Sequence, residues 1–225
     1  MTENKSTCPT GRGLVTSLVR AGGLYGLTAE KFSIGRDNIE VVRAMLDAGV
    51  KIIQYREKTK KMGEKYEQCL VLREMTRQAG AALIINDDID LALLVEADGV
   101  HVGQEDLPVP AVRRLVGESM AIGLSTHAPE EALAAVTAGA DYIGVGPIFR
   151  TFTKEDVCEP VGLEYLDFVA ANIDLPFVAI GGIKVHNIAQ VAAHGAGCVA
   201  LVTEIVAAND IGACIQSLNI AMTGA

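Results

Sequence analysis

Eight short runs rich in β-branched residues recur along this chain, and a longer stretch with apolar residues at helical spacing follows each of them. Strands that alternate with helices in this way build parallel βαβ units, so the alternation limits the fold to an α/β architecture. The predicted strands are 24–28, 50–56, 82–86, 99–102, 121–125, 142–145, 177–180 and 198–202. The predicted helices are 39–48, 65–78, 91–96, 109–116, 129–138, 163–171, 187–194 and 211–222.

Eight such units in 225 residues predict one domain, a closed TIM (β/α)8 barrel. An open doubly wound sheet is the alternative, but no GxGxxG motif follows the first strand. Residues 1–22 are predicted to be an N-terminal leader with a short helix, and residues 23–225 to be the catalytic barrel. The connections "DAGV", "QAGA", "EADGV", "TAGADYI" and "AHGAGC" each carry a glycine, which predicts a left-handed residue at the end of the preceding helix.

Composition limits the partners of this barrel. Half of the residues are hydrophobic but only 4% are aromatic, so Val, Ile, Leu and Ala must fill the core. The net charge of −9, without a basic cluster, argues against a nucleic-acid partner, although small anions can bind where positive charge is local. No apolar run reaches the roughly 18 residues of a membrane span. The first residues lack the apolar region of a signal peptide, and together these features predict a cytoplasmic enzyme.

The segment "VKIIQYREKTKK", residues 50–61, turns from an apolar strand into a row of polar and cationic side chains. Because side chains alternate along a strand, Gln54, Arg56 and Lys58 share one face with Ile52. If Ile52 faces the barrel interior, both cations do so too, and an anionic ligand or neighbouring carboxylates would relieve their burial. The alternative, equally open from these residues, is that both cations have left the barrel and are solvated or paired with Glu57.

Strands 3 and 4 are neighbours in a barrel, and oxygen-bearing side chains follow both. Asn86 and Asp87 end strand 3 in "LIINDDIDLALL", and Asp106 follows strand 4 in "DGVHVGQEDL". Two carboxylates with an amide suit Mg²⁺, which takes its other ligands from water and a substrate phosphate. The sequence therefore predicts a Mg²⁺ site at Asp87 and Asp106. The alternative is that Asp88 and Asp106 cap helices; His101 is predicted to be a packed or hydrogen-bonded strand residue.

Strand 5 and the segment after strand 6 add hydroxyl and cationic side chains. Ser125 and His127 end strand 5, but no orienting acid or oxyanion hole accompanies them, which argues against a serine hydrolase. A long segment without helical pattern follows strand 6, and such loops are usually functional. Thr151, Thr153 and Lys154 are predicted to bind a phosphate there, in a loop that closes as a lid. The alternative is an exposed polar loop.

Strands 7 and 8 end in "VAIGGIK" and "ALVTEI", which predict a phosphate site between their loops. TIM barrels frequently hold a phosphate at this place, because closely spaced glycines expose backbone N–H groups. Gly181, Gly182, Val202 and Thr203 fit that role. Taken alone, the two glycines are equally consistent with a tight turn.

Eight motifs together resemble the thiamine-phosphate synthase family, in order and at the family's spacing, over about residues 24–206. They are "QYREK", "INDDIDLAL", "DGVHVGQEDL", "IGLSTH", "ADYIGVGPIFRTFTK", "PVGLEYL", "PFVAIGGI" and "ALVTEI". The resemblance implies a TIM-barrel transferase that joins 4-amino-5-hydroxymethyl-2-methylpyrimidine diphosphate to the phosphate ester of 4-methyl-5-(2-hydroxyethyl)thiazole. It implies Mg²⁺ as cofactor, with thiamine phosphate and diphosphate as products. In this SN1-like chemistry diphosphate leaves first and the thiazole nitrogen captures the methylene cation, so no protein nucleophile is required.

The resemblance also implies a role for each predicted site residue. The implied contacts of the pyrimidine diphosphate are Gln54, Arg56, Lys58, Asn86, Ser125 and Lys154. The implied contacts of the thiazole phosphate are Thr151, Thr153, Gly182, Val202 and Thr203. The implied catalytic residues are Arg56, Lys58, Ser125 and Lys154. The implied Mg²⁺ ligands are Asp87 and Asp106.

Three positions depart from the family pattern, and other functions stay open. Arg150 stands where the family usually has Pro, Thr203 where it often has Ser, and Ala29 where an Asp is common. The hydroxyl at position 203 survives, whereas Arg150 adds a charge to the lid. The alternatives are a thiazole tautomerase-like relative that uses His127 in proton transfer, a non-catalytic thiamine phosphate binder, or another phosphosugar barrel enzyme. A tautomerase has no diphosphate to neutralise, so the strand 2 cations and the carboxylate pair favour the synthase. A homo-oligomer is left open.

Overall fold

Eight parallel strands pair in sequence order and close into a barrel in the computed structural model, which describes residues 11–153 and 159–224. The strands are β1 (Gly23–Leu27), β2 (Ile52–Tyr55), β3 (Ala82–Asn86), β4 (Gly99–Val102), β5 (Ala121–Thr126), β6 (Tyr142–Val145), β7 (Phe177–Ile180) and β8 (Cys198–Leu201). The last strand pairs with the first through Gly23 and Cys198, which closes the sheet. The predicted TIM barrel is confirmed, and every predicted strand end lies within two residues of the observed one.

Helices connect the strands and cover the outside of the barrel. They are α1 (Gly11–Ala21), α2 (Asn38–Asp47), α3 (Met62–Ala79), α4 (Ile89–Leu94), α5 (Val109–Val116), α6 (Pro129–Ala138), α7 (Gly162–Asn172), α8 (Ile188–Ala193), α9 (Thr203–Val206) and α10 (Ile211–Thr223), with a 3₁₀ helix at Glu30–Phe32. The patterns did not predict α9, because one turn is too short to show a helical period. No helix in the described part of the chain is long and apolar enough to cross a membrane.

Alternate residues of the strands divide the core into two layers. One face of the sheet fills the barrel interior, with Tyr25, Ile52 and Tyr142 among its residues. The other face packs against the helices, with Ile53 and Leu83 among its residues. A side chain's position along its strand therefore decides which of the two environments it enters.

The helix α1 packs against the barrel interior. Val15 and Val19 are buried in the same cluster as the inward-facing strand residues. The described part of the predicted leader is therefore continuous with the core of the barrel. The division at residues 22 and 23 stays a prediction, and residues 1–10 lie outside the described part of the chain.

Two buried aspartates fix the amino ends of the strands. Asp98 accepts a hydrogen bond from the Leu83 N–H (3.0 Å) and pairs with Arg73 (2.5 Å). Its Oδ1 also accepts from the N–H of Gly11 at the start of α1 (3.1 Å). Asp141 repeats this arrangement before β6, with a backbone N–H of β5 at 2.7 Å and guanidinium groups from α5 and α1 at 2.6 and 2.5 Å. These carboxylates therefore join α1, the outer helices α3 and α5, and the strands β3 and β5 at one end of the barrel.

Four of the five predicted left-handed glycines end a helix. They are Gly49, Gly80, Gly139 and Gly195, with φ of 90°, 60°, 82° and 91°. The prediction for "EADGV" is wrong, because Glu96 adopts the left-handed conformation (φ 52°) and Gly99 lies within β4. A Cβ on Gly99 would lie 2.8 Å from Ile84 Cδ1. This glycine therefore serves close packing inside the barrel rather than a helix end.

Candidate active site

The carboxyl end of β2 directs polar side chains into the barrel. Ile52 belongs to the interior cluster, and Gln54 donates from Nε2 to the Tyr25 hydroxyl inside the barrel (2.8 Å). The backbone N–H of Arg56 donates to the Thr28 hydroxyl just beyond β1 (2.9 Å). Ile52 therefore faces the barrel interior, which was the condition for placing Gln54 on the inward face.

Arg56 is a partly buried cation just beyond β2. Burial lowers the pKa of its guanidinium, and the carboxylates of Asp87 and Glu57 act in the opposite direction. Arginine keeps its charge under such a shift, so its incomplete solvation favours binding of an anion. Glu57 itself accepts a hydrogen bond from the Glu30 backbone N–H (2.9 Å).

Lys58 and Asp87 form an ion pair between the ends of β2 and β3. Asp87 has a left-handed backbone (φ 61°), which aspartate tolerates better than most residues. Its N–H donates to the His101 carbonyl oxygen on β4 (2.9 Å). Lys58 therefore pairs with a neighbouring carboxylate, and that carboxylate is Asp87 rather than Glu57. The lysine side chain is also 55% exposed, as the solvated alternative expected.

Asp106 reaches the same edge of the barrel from β4. Its Oδ2 accepts a hydrogen bond from the N–H of Gly103, the residue after β4, and Asp87 lies beside the same strand. Within residues 11–153 and 159–224, no group of three or more His, Cys, Asp or Glu side chains is arranged to hold a metal ion. A pair of carboxylates nevertheless fits Mg²⁺, because this ion keeps several waters and takes further oxygens from substrate phosphates.

The alternative of two helix caps is wrong. The helix α5 begins after Pro108 without a side-chain cap, so Asp106 does not cap it. Asp88 precedes α4, but its side chain does not cap that helix and instead pairs with Lys65 Nζ (2.7 Å). Lys65 on α3 offers Asp88 a positive charge. The charge-assisted hydrogen bond between them is stronger than a bond from Asp88 to a backbone N–H of α4, and it forms instead.

A chain of hydrogen bonds crosses the barrel interior between Gln54 and Ser125. From Gln54 it passes through the hydroxyls of Tyr25 and Tyr142, which lie 3.1 Å apart, to His101 Nδ1 at 3.1 Å. His101 Nε2 lies 3.0 Å from the Ser125 hydroxyl. These five residues are referred to as the interior chain. The prediction that His101 is a hydrogen-bonded strand residue is confirmed.

Glycines on two strands leave room for the interior chain. A Cβ on Gly123 would lie 2.2 Å from Tyr142 Cζ and 2.4 Å from His101 Nδ1, and one on Gly144 would lie 3.3 Å from His101 Cε1. Sequence reasoning missed Tyr25 and Tyr142 as part of the site. A signal was available, because both occupy inward positions in a chain with only five tyrosines.

Both tyrosine hydroxyls of the interior chain are protonated at neutral pH. Burial is the main cause that raises the pKa of each phenol, although hydrogen bonds from Tyr142 and Gln54 act against it at Tyr25. Each hydroxyl therefore donates one hydrogen bond and accepts others, which limits the arrangements open to the interior chain.

His127 is held against the end of β6. Its Nδ1 lies 2.5 Å from the Gly146 carbonyl oxygen, and its backbone N–H donates to Glu131 (2.7 Å). A carbonyl oxygen only accepts, so Nδ1 carries a proton and donates it to Gly146.

Three hydroxyls meet between the segment after β6 and the start of α9. Thr151 Oγ1 and Thr153 Oγ1 lie 3.2 Å apart, and Thr153 Oγ1 lies 3.4 Å from Thr203 Oγ1. Thr203 begins α9 directly after Val202, and the first N–H groups of a helix have no partner within it. Hydroxyls and such N–H groups together suit a phosphate. The remaining predicted residue of this segment, Lys154, lies outside the described residues.

Glycines bring the segment after β7 against the segment after β6. The N–H of Phe149 donates to the Gly181 carbonyl oxygen (2.9 Å). A Cβ on Gly182 (φ 66°) would lie 2.6 Å from the Arg150 carbonyl oxygen, so only glycine fits there. The guanidinium of Arg150 lies over the Phe152 ring, 5.7 Å from its centre, and this ring is 82% exposed. The departure at position 150 therefore adds an exposed cation–π contact.

Two residues that sequence reasoning missed hold this loop in place: Asn187 ties it to the start of α8, and Glu204 ties it to α9. Asn187 Nδ2 donates to the Gly182 carbonyl oxygen (3.1 Å), and its Oδ1 accepts from the Lys184 N–H (2.7 Å). Glu204 accepts from the Val185 N–H (3.1 Å) and pairs with Lys184 Nζ (3.0 Å). Polar residues at helix starts are common, so the sequence offered no signal that separated these two from ordinary caps.

The fold and the site together define a class. A (β/α)8 barrel with cations, carboxylates and clustered hydroxyls at the carboxyl ends of its strands has the architecture of a TIM-barrel enzyme. The family model described as thiamine monophosphate synthase matches residues 24–205 of this sequence. The chain belongs to that family and is a transferase.

Relatives with known names agree with this assignment. A thiamine-phosphate synthase from Pelotomaculum thermopropionicum is 65% identical over 195 residues, which cover 87% of this chain and 89% of the relative. One from Caldicellulosiruptor saccharolyticus is 56% identical over 201 residues, covering 89% and 91%. A solved thiamine phosphate pyrophosphorylase from Pyrococcus furiosus is 32% identical, with a TM-score of 0.84 over 92% of this chain and 98% of that chain. The predicted family, and with it the predicted thiamine-phosphate synthase function, is confirmed.

Proposed function

We propose that this chain joins the pyrimidine diphosphate and the thiazole phosphate named above at the mouth of the barrel, the end at which the strands have their carboxyl termini. The observation that carries this proposal is the presence of two separate groups of anion-binding side chains at one mouth. Cations and carboxylates lie at the ends of β2 to β4, and the three hydroxyls lie between β6 and β8. Two phosphorylated substrates need two such groups, whereas an isomerase of one phosphosugar needs one.

The diphosphate would bind to Arg56, Lys58 and Lys154. Negative charge grows on the leaving diphosphate as its bond to the methylene carbon breaks, and cations already in place stabilise that charge. The partial burial of Arg56 supports this role, because charge interactions are stronger where water is less able to screen them.

Asp87 and Asp106 would hold Mg²⁺ beside the diphosphate. The donor set supports this, because two carboxylates leave room for waters and phosphate oxygens around the ion. When bound, Mg²⁺ neutralises part of the charge on the diphosphate oxygens. Lys58, which pairs with Asp87, brings a second positive charge to the same place.

The aminopyrimidine ring would lie over Gln54, Asn86 and Ser125. These residues take inward positions at the ends of β2, β3 and β5 and carry no charge. Uncharged hydrogen-bonding groups orient the ring without destabilising a cation on its methylene carbon. Diphosphate leaves with the electron pair of the C–O bond, and the thiazole nitrogen lone pair then forms the C–N bond of thiamine phosphate.

The thiazole phosphate would bind to Thr151, Thr153, Gly182, Val202 and Thr203. The clustered hydroxyls and the open backbone at Gly182 support this placement. Asn187 and Glu204 would keep the loop in position, because Asn187 joins it to the start of α8 and Glu204 joins it to α9.

The proposal is tested by incubating the purified chain with both substrates and Mg²⁺. Thiamine phosphate and diphosphate are expected in equal amounts by chromatography and mass spectrometry, and only when both substrates are present. Formation of neither product would contradict the proposal. Conversion of the thiazole alone to a tautomer, with His127 as the group that transfers the proton, would favour the tautomerase-like alternative, and binding of thiamine phosphate without turnover would favour a binder.

A cytoplasmic location and a homo-oligomer are further parts of the proposal. The free thiols of Cys69, Cys198 and Cys214 suit a reducing compartment. Exposed Leu70 on α3 and Leu94 on α4 are apolar surface that a second copy could cover. Analytical ultracentrifugation at micromolar concentration measures the mass directly, and a monomer mass would contradict the oligomer.

A further inference from the structure

The interior chain joins two of the proposed substrate contacts, Gln54 and Ser125, through residues to which no substrate contact has been assigned. We propose that Tyr25 and Tyr142 are positioning residues that couple these two contacts, so that one presents a hydrogen-bond donor to the mouth whenever the other presents an acceptor. The catalytic consequence of this coupling rests on the proposed function, whereas the coupling itself rests on the hydrogen bonds alone.

In one direction, each link of the interior chain donates toward Ser125. Gln54 Nε2 donates to Tyr25, Tyr25 donates to Tyr142, and Tyr142 donates to His101 Nδ1. His101 then carries its proton on Nε2 and donates to the Ser125 oxygen. The serine proton is left to point into the mouth, and Gln54 presents its carbonyl oxygen there.

In the opposite direction, every link is reversed. Ser125 donates to His101 Nε2, His101 Nδ1 donates to Tyr142, and Tyr142 donates to Tyr25. Tyr25 then donates to the amide oxygen of Gln54, whose side chain has turned over. In this state Gln54 presents its NH₂ group to the mouth, and Ser125 presents only lone pairs.

Mixed states are unfavourable because the links of Tyr25 to Gln54 and to Tyr142 are buried, and the two links of His101 are partly buried. If one end is reversed alone, some link of the interior chain holds either two protons or none. Two lone pairs, or two protons, then face each other at about hydrogen-bonding distance, which costs most at the buried links of Tyr25. Tyr25 and Tyr142 are almost completely buried, so neither hydroxyl has solvent as a substitute partner. The two ends therefore change together.

This coupling gives the substrate a way to orient a distant group. An amino group of the pyrimidine that donates to the Gln54 carbonyl oxygen selects the first direction. The Ser125 proton is thereby aimed into the mouth, where an anionic oxygen of the diphosphate accepts it. Recognition of the ring at β2 thus prepares a hydrogen-bond donor at β5.

The first test measures the coupling without substrate. Protein labelled with ¹⁵N-histidine contains four histidines, and the His101 signals are identified by their loss in His101→Gln. Gln54→Ala removes the constraint at one end, so it is expected to move the ring-nitrogen shifts of His101, which report the tautomer. In a Tyr142→Phe background the same change is expected to move them by less than about a third as much, because the link is broken.

The matched control is Tyr55→Phe. Tyr55 is as buried as Tyr142, but its hydroxyl donates to Gln68 Oε1 (2.8 Å) outside the barrel interior. In this background Gln54→Ala is expected to move the His101 signals as in the native protein. Equal movement in the Tyr142→Phe and native backgrounds, or none in the native protein, would overturn the proposal. If Tyr142→Phe does not fold, Tyr25→Phe breaks the chain at the neighbouring link.

The second test measures the coupling during turnover. Gln54→Ala and Ser125→Ala are combined, and kcat/KM for the pyrimidine diphosphate is compared with the product of the two single effects. In the native background the effect of the double variant is expected to differ from that product by about five-fold or more, which is within the range for coupled residues. In the Tyr142→Phe background the difference is expected to be less than about two-fold. Additive effects in both backgrounds would overturn the proposal. Absence of turnover would contradict the proposed function, and the histidine shifts would still decide the coupling.

Discussion

Asp87 illustrates how much of the site depends on single residues. Its left-handed backbone turns the chain at the end of β3, its N–H binds the backbone of β4, and its carboxylate pairs with Lys58. Aspartate is one of the few side chains that combine tolerance of this backbone with a metal-binding oxygen. Residue 87 therefore both turns the chain after β3 and supplies a carboxylate to the proposed Mg²⁺ site.

The carboxylate pair leads to a prediction at this scale. Asp106→Ala is expected to lower kcat/KM by about 100-fold or more, because a bound metal ion contributes several kcal/mol to stabilising the leaving charge. Its melting temperature is expected to stay unchanged, since Asp106 is exposed and its carboxylate accepts a hydrogen bond from the nearby Gly103 N–H. Activity is measured against Mg²⁺ concentration and after chelation.

Asp87→Ala is expected to show the same loss of Mg²⁺-dependent turnover, whereas Asp90→Ala, an acidic residue in the first turn of α4, is the control and should behave as the native protein. Full activity in both Asp87→Ala and Asp106→Ala would remove these residues from the proposed metal site.

Alternation along the strands explains what could be predicted for individual residues. A period of two placed Gln54 on the same face as Ile52, and the interior cluster agrees. The pairing of Tyr25 with Tyr142 could not be predicted, because these residues are 117 positions apart and meet only through the stagger of the closed barrel. Periodicity gives the face of a strand, but not the partner across it.

At the scale of elements, the contact between α3 and the start of β4 offers a comparison of two ion pairs. Arg73 pairs with Asp98, whose side chain is 2% exposed, and Arg77 pairs with Glu96, whose side chain is 77% exposed. Both pairs join the same two segments, so they differ mainly in burial. Removing one partner of a buried pair leaves the other charge without compensation.

Asp98→Asn is therefore expected to lower the free energy of unfolding by about 3–5 kcal/mol, since Arg73 loses its charged partner inside the protein. Glu96→Gln is the matched control and is expected to change it by less than about 1 kcal/mol, as exposed pairs do. Both values come from urea denaturation followed by circular dichroism. Equal losses would show that burial does not decide the contribution of these pairs.

The elements themselves were largely readable from the sequence, because each strand and long helix shows its own period over several residues. The single turn of α9 was not, since it is shorter than the period that would reveal it. The left-handed Glu96 was not predicted either, because the glycine of "EADGV" was expected to take the left-handed conformation. That glycine is instead required for close packing against Ile84.

At the scale of the whole molecule, two cysteines report on the two layers of the core. Cys198 lies in the barrel interior and Cys69 lies in the layer under the helices. Burial raises the pKa of each thiol to about 12. Both groups therefore stay protonated, and unreactive, until the layer that covers them opens.

Both cysteines are expected to resist iodoacetamide at about pH 8 in the folded protein and to react in guanidinium chloride, as measured by peptide mass spectrometry. Because the raised pKa belongs to the folded state, these thiols stabilise the fold less as the pH rises above their ordinary value of 9.0. Rapid labelling of Cys198 under native conditions would contradict a closed barrel interior.

The central claim is that one barrel mouth holds two separate anion sites, one for each substrate. Two-substrate steady-state kinetics of Arg56→Ala and Thr203→Val test it most directly. Arg56→Ala is expected to lower kcat/KM for the pyrimidine diphosphate by about 30- to 150-fold, the effect of losing a hydrogen bond between charged groups, with little change in KM for the thiazole phosphate. Thr203→Val is expected to raise KM for the thiazole phosphate by about 10-fold and to leave the other KM nearly unchanged. If both variants instead weaken the same substrate, the two groups of side chains form one site and the account is wrong.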